Sequence, residues 1–100
     1  GRPSSADSTY VSGERVFGPP RGTFDVEWVA REVDRVTDVG YATAHDWVAA
    51  AWRQARSTGS LAEDNVRAAV LEIGGDPASA DVVARHVVAY CTAYEVHLGS

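Results

Sequence analysis

From Thr23 onward the apolar positions of this chain recur at helical spacing, in four segments separated by glycine. In the first, Val26, Val29, Val33 and Val36 follow one another at 3-4-3 intervals, with Phe24 and Trp28 a turn apart beside them. Its other face carries Glu27, Arg31, Asp34, Arg35 and Asp38, and Gly40 closes it. This pattern predicts a helix over 24–38. The second, over 43–58, opens with Thr43 as N-cap and Asp46 three residues on, a short-armed capping box. Ala44, Trp47, Val48, Ala51, Trp52 and Ala55 form its apolar face, and Gly59 stops it. The third, over 61–73, follows the capping box Ser60-Leu61-Ala62-Glu63 and ends at Gly74-Gly75. The fourth starts with Asp76 as N-cap and Pro77 in the first helical position, and is expected to run over 77–98.

Connections this short make consecutive helices neighbours, so the expected fold is all-α, a four-helix bundle-like domain over 23–100. Residues 1–22 read differently. They hold three of the four prolines and few apolar residues, and are expected to be a disordered or docked arm. Within them, Tyr10-Val11 and Val16-Phe17 flank a Ser12-Gly13 turn signal, which suits a short hairpin or an extended arm laid on the domain or on a neighbour. The chain begins at Gly1 and has no methionine, as a processed product would, so residues 1–5 carry no fold argument.

The fourth helix is apolar nearly all round. Val83, Val87, Tyr90, Tyr94 and Leu98 make one face, and Val82, Ala89, Ala93 and Val96 another, with Val88 and Cys91 between. Such a helix is either enclosed or has a partner on its second side. A span of about 21 residues, roughly 31 Å, is hard for three shorter helices to cover. The sequence therefore predicts a homodimer through Val82, Val88, Ala89, Ala93 and Val96. Trp52 joins this interface set because Trp47 and Trp52, five positions apart, cannot both occupy the centre of one narrow stripe.

Composition narrows the classes of function. The net charge is −5, with all nine bases arginine. The split is uneven: residues 1–22 carry three arginines and two acids, leaving −6 on the rest. That balance argues against nucleic acid and against an anionic membrane as partner. It suits a basic protein or peptide meeting Glu27, Glu32, Asp34 and Asp38. One cysteine cannot form an internal disulfide, and no apolar run approaches a membrane span, so the expected location is the cytoplasm. Abundant Ala, Val and Arg with no Lys is a GC-rich, actinobacterial-like composition.

Candidate chemistry is sparse. His86, Tyr90 and Tyr94 share one edge of the fourth helix and could line a small-ligand pocket. His86 and His97 lie about 16 Å apart along a helix, too far for one metal ion, and Cys91 stands in no ligand spacing. His45 and Asp46 are adjacent and so point about 100° apart. No catalytic motif, metal site or cofactor is expected, and the chain reads as a non-enzyme.

Residues 68–87, from Ala68 through Gly74-Gly75-Asp76-Pro77 to Val87, resemble the opening of a winged helix-turn-helix domain. The resemblance implies a DNA-binding regulator, with Arg53, Arg56 and Arg67 as phosphate contacts. The family then requires a turn and a basic recognition helix, whereas here the apolar helix continues and no base follows Arg85. Three expectations stand. The first is a non-catalytic protein-protein interaction module or small assembly subunit, self-associating through its last helix. The alternatives are a helix-turn-helix DNA-binding regulator and a small-ligand-binding or enzyme-accessory domain.

Overall fold

A computed structural model describes residues 21–98. Four helices follow in chain order: α1 (Val26–Thr37), α2 (Tyr41–Thr58), α3 (Glu63–Glu72) and α4 (Pro77–Ala93), with no strand among the described residues. The expected all-α, bundle-like architecture is what forms. The expected arm lies almost wholly outside the described residues.

The helix contacts define the arrangement. α2 and α4 pack on each other, α1 and α3 each pack against both, and α1 and α3 do not meet. The cross-section is therefore a diamond with α2 and α4 on its short diagonal. The residues between them are small: Ala44, Val48, Ala51, Ala55, Ala80, Val83, Ala84 and Val87 are fully buried. Short side chains on facing stripes let helix backbones approach closely, which is how an Ala/Val core is filled to native density.

The helix ends depart from the caps expected from sequence in instructive ways. α1 begins after Asp25, whose Oδ1 accepts the Trp28 N–H at 3.1 Å, so Phe24 precedes the helix instead of belonging to it. It ends at Asp38 in the left-handed region, and Asp34 Oδ1 takes the Gly40 N–H at 2.9 Å. α2 starts at Tyr41, two residues early, so Thr43 lies inside the first turn and the Thr43/Asp46 cap does not form. Gly40, at φ 100°, is its N-cap. α3 starts at Glu63 rather than 61, and the Ser60 hydroxyl accepts from Ala62 N–H, a local turn instead of the expected capping box. Asn65 fixes this turn by donating to Thr58 Oγ1 and to the Ser60 carbonyl. The Asp76/Pro77 start of α4 forms as expected, with Asp76 accepting the Ser79 N–H at 3.2 Å.

The largest correction concerns the end of α4. The helix stops at Ala93, 17 residues long, and does not continue to 98. Glu95 turns left-handed at φ 57°, and the Val96 N–H closes back on the Cys91 carbonyl at 2.9 Å. Val96 thereby lies beyond the helix and is buried in the core at 6% exposure. The incoming chain supplies the reason: Gly22 N–H donates to the Tyr94 carbonyl at 2.6 Å, and Arg21 pairs with Glu95 at 3.0 Å. These contacts satisfy a carbonyl that a helix end leaves open.

The shortened α4 is also better covered than its composition suggests, because it touches all three other helices. Val88 is half-buried against the core, and Val82 is half-buried as well. Besides Pro77 at its start and Thr92 near its end, what remains open is a strip of Ala78, Arg85, Ala89 and Ala93.

Candidate functional site: the α1–α4 groove

Ala89 and Ala93 are one turn apart on the open side of α4, where their methyl groups cannot fill the space beside the indole of Trp28 on α1. A groove of about 530 Å³ results. Trp28 and Val29 form one wall and Tyr90 and Tyr94 line the other side, while Glu32, Arg85 and His86 set its polar rim. The three proposed ligand-binding residues, His86, Tyr90 and Tyr94, are brought together here, along with Ala89 and Ala93 from the expected interface. Val82, Val88, Val96 and Trp52 do not line it.

Trp52 is instead half-buried under Phe24, whose ring stacks on it with centroids 4.3 Å apart. Phe24 meets Tyr90 edge-on at 5.2 Å, and Tyr90 in turn lies 4.6 Å from Tyr94. This row of rings connects α2 to the groove and holds Tyr90 and Tyr94 in place. The Tyr90 hydroxyl donates to the Thr23 carbonyl at 3.1 Å. His86 Nδ1 donates to the Val82 carbonyl at 2.8 Å, and Nε2 has no partner among the described residues.

Burial sets the protonation of two groups on α4. Burial pushes the Tyr90 phenol up to about 12 and the Cys91 thiol up to about 11, so both stay protonated at neutral pH. At the rim, Glu32 is paired with Arg35 at 2.5 Å and Arg85 with Asp81 at 3.3 Å, all exposed enough to exchange partners at little cost. Arg67, one of the expected phosphate contacts, is held by Asp64 and by Asp81, whereas Arg53 and Arg56 of that set have no ion pair among the described residues. Of the acids expected to form one solvated face, Asp34 and Asp38 build the α1–α2 turn. No helix among the described residues is long and apolar enough to cross a membrane.

The raised values of Tyr90 and Cys91 have a direct consequence for stability. Both are acids whose folded value lies above the ordinary one, so their contribution is whole below pH 9 and is lost as pH rises through about 11 and about 12. Thermal melts from neutral pH upward are expected to show a falling Tm from the ordinary thiol value onward. Tyr90→Phe should remove the tyrosine part of that fall. A Tm that holds steady through the alkaline range would contradict it.

Sequence reasoning missed Glu32 and Arg85 as groove residues, and placed Trp28 only beside the apolar stripe of the first helix. All three depend on α1 meeting α4, a contact between the first and last helices that no local pattern encodes. Comparison of the chain with protein-family models, curated proteins and solved structures returns no match. The geometry of the groove is therefore what a functional reading has to stand on.

Proposed function

We propose that this chain is a non-catalytic helical protein-interaction module that self-associates, with the α1–α4 groove as its contact surface. The observation that carries the reading is the open Ala89–Ala93 floor flanked by Trp28 and Tyr94. Small residues one turn apart admit a second helix closely, and an aromatic wall supplies the apolar area such contacts need. The rim adds self-complementarity. Arg85 on α4 and Glu32 on α1 bear opposite charges, so a two-fold contact sets Arg85 of one copy against Glu32 of the other.

Sedimentation equilibrium of the full chain tests this. Ala89→Glu, at an exposed position, is expected to keep the helical circular dichroism and to weaken self-association at least about tenfold, since the larger, charged side chain would hold a second helix off the floor and would have to lose its water there. A chain that stays monomeric at high micromolar concentration would remove the reading. So would an Ala89→Glu variant that associates as the parent does.

A second reading, a small-ligand site, is favoured by one fact: His86, Tyr90 and Tyr94 line a single groove whose volume, about 530 Å³, lies in the range typical of ligand sites. Titration with a fluorescent apolar probe separates the two, because a ligand site saturates at one probe per chain in the parent chain kept dilute enough to be monomeric. The DNA-binding alternative has less behind it, given the engaged Arg67 and the acidic charge. A basic partner likewise meets fewer free acids than the sequence suggests.

A further inference from the structure

Arg53 and Arg56 stand out in an acidic chain. Arg21, Arg35, Arg67 and Arg85 are each held by a carboxylate. From Trp47 to Ala62 the sequence contains no acid, and neither Arg53 nor Arg56 has a side-chain partner among the described residues. The two lie three positions apart on α2, where like charges one turn from each other repel. The dipole of α2 accounts for Arg56, which stands in its last turn, but not for Arg53, which precedes that turn.

Both arginines border a hollow of about 510 Å³ between α1 and α2. Its floor is apolar: Val26 from the first turn of α1, Ala49, and Trp52, whose ring Phe24 covers on one face. Ala49, Arg53 and Arg56 follow at 4-3 spacing, so both arginine stems rise from the side of α2 that carries the floor. Ser57 adds a hydroxyl. Asp25, which precedes Val26, is engaged on its own helix, where Oδ1 accepts the Trp28 N–H. On its other side Arg53 borders the α2–α3 seam with Asp46 and Glu72, neither of which pairs with it.

We propose that the α1–α2 hollow binds a small aromatic acid, its ring on Val26, Ala49 and Trp52 and its anionic group between Arg53 and Arg56. A guanidinium fork matches a carboxylate with two parallel N–H···O bonds, and an anion between the two arginines removes their repulsion. The apolar floor suits a flat ring, and the volume lies in the range of small-molecule sites. The hollow is separate from the α1–α4 groove, so the proposal does not depend on self-association.

Titration of the full chain, kept dilute, with anilinonaphthalene sulfonate tests it, since this aromatic anion brightens on leaving water. Saturation at one probe per chain is expected, with amide shifts at Val26, Ala49 and Arg53 to Ser57. Arg53→Gln and Arg56→Gln should each weaken binding about tenfold and leave the thermal melt unchanged, both positions being exposed. Arg31→Gln, at an exposed position on α1 outside the hollow, should change nothing. Naphthoate should displace the probe, and naphthol, with the same rings and no charge, should not. Absence of saturable binding, or equal binding in the two arginine variants, would overturn the proposal. So would a loss on Arg85→Gln instead, which would place the anion in the α1–α4 groove. Probe affinity that falls as the chain is concentrated, with Arg53→Gln weakening self-association, would assign the hollow to a second copy and overturn it as well. The proposed function fails separately, because it is decided by Ala89→Glu, which leaves this hollow intact.

Discussion

Trp47→Ala is expected to cost about 3–5 kcal/mol, the range for emptying a large aromatic site in a core. Trp52→Ala should cost only about 1–2 kcal/mol, for a half-covered ring and one stacked pair. The difference follows from burial. Trp47 is 8% exposed and sits within the core cluster, whereas Trp52 packs from outside it under Phe24. A domain spanning residues 21–98 has a total stability of roughly 4–12 kcal/mol at typical per-residue values. The first substitution therefore brings it near the edge of folding and the second does not. Urea unfolding followed by far-ultraviolet circular dichroism measures both. If Trp52→Ala proved as costly as Trp47→Ala, the assignment of the two rings would be wrong.

The second large effect is at Gly75. A methyl group there would meet Val70 Cγ1 at 2.5 Å, the Val70 carbonyl oxygen at 3.1 Å and Trp47 Cε2 at 3.5 Å. Val70 is fully buried and β-branched, so it has no free rotamer with which to move aside. Gly75→Ala is expected to destabilise by about 1–3 kcal/mol through overpacking. Its neighbour differs in cause. Gly74 has open space around it but a φ of 101°, so its substitution is strained by the backbone alone. A double variant discriminates between the two causes. Val70→Ala should offset part of the cost of Gly75→Ala and none of the cost of Gly74→Ala. Additive costs for Gly75→Ala and Val70→Ala would show that the clash is not what keeps this position glycine.

The periodic valines and alanines made the four helices legible, and the core stripe of α2 reads almost residue for residue: Ala44, Trp47, Val48, Ala51 and Ala55 are buried. Gly40, Gly59, the Gly74-Gly75 pair and the Asp76-Pro77 start marked real boundaries. Capping was less legible, because a Ser or Thr before a helix has more than one way to satisfy its hydroxyl. Ser60 bonds a turn amide and Thr43 is absorbed into a helix that starts at Tyr41. Asp34, which secures one end of α1, looks in the sequence like an ordinary member of an acidic face, and Asp25, its N-cap, falls inside the helix predicted over 24–38.

The candidate site divides in the same way. His86, Tyr90 and Tyr94 were recognisable as one edge of α4 because they lie on a single helix. Their opposite wall, Trp28 and Glu32, comes from a helix about sixty positions earlier and becomes adjacent only when α4 packs back on α1.

By itself, then, the sequence determined four amphipathic helices, their order, a small-residue core and an acidic surface. These depend on spacing and composition, which act locally along the chain. Only the tertiary structure decided where α4 ends, that Val96 belongs to the core, and that Ala89 and Ala93 face a hollow beside Trp28. Each of these follows from a contact between residues far apart in the chain: Gly22 on Tyr94, Arg21 on Glu95, and α1 against α4. Helical periodicity says which face is apolar. What covers that face is set by packing, and packing is a property of the whole fold.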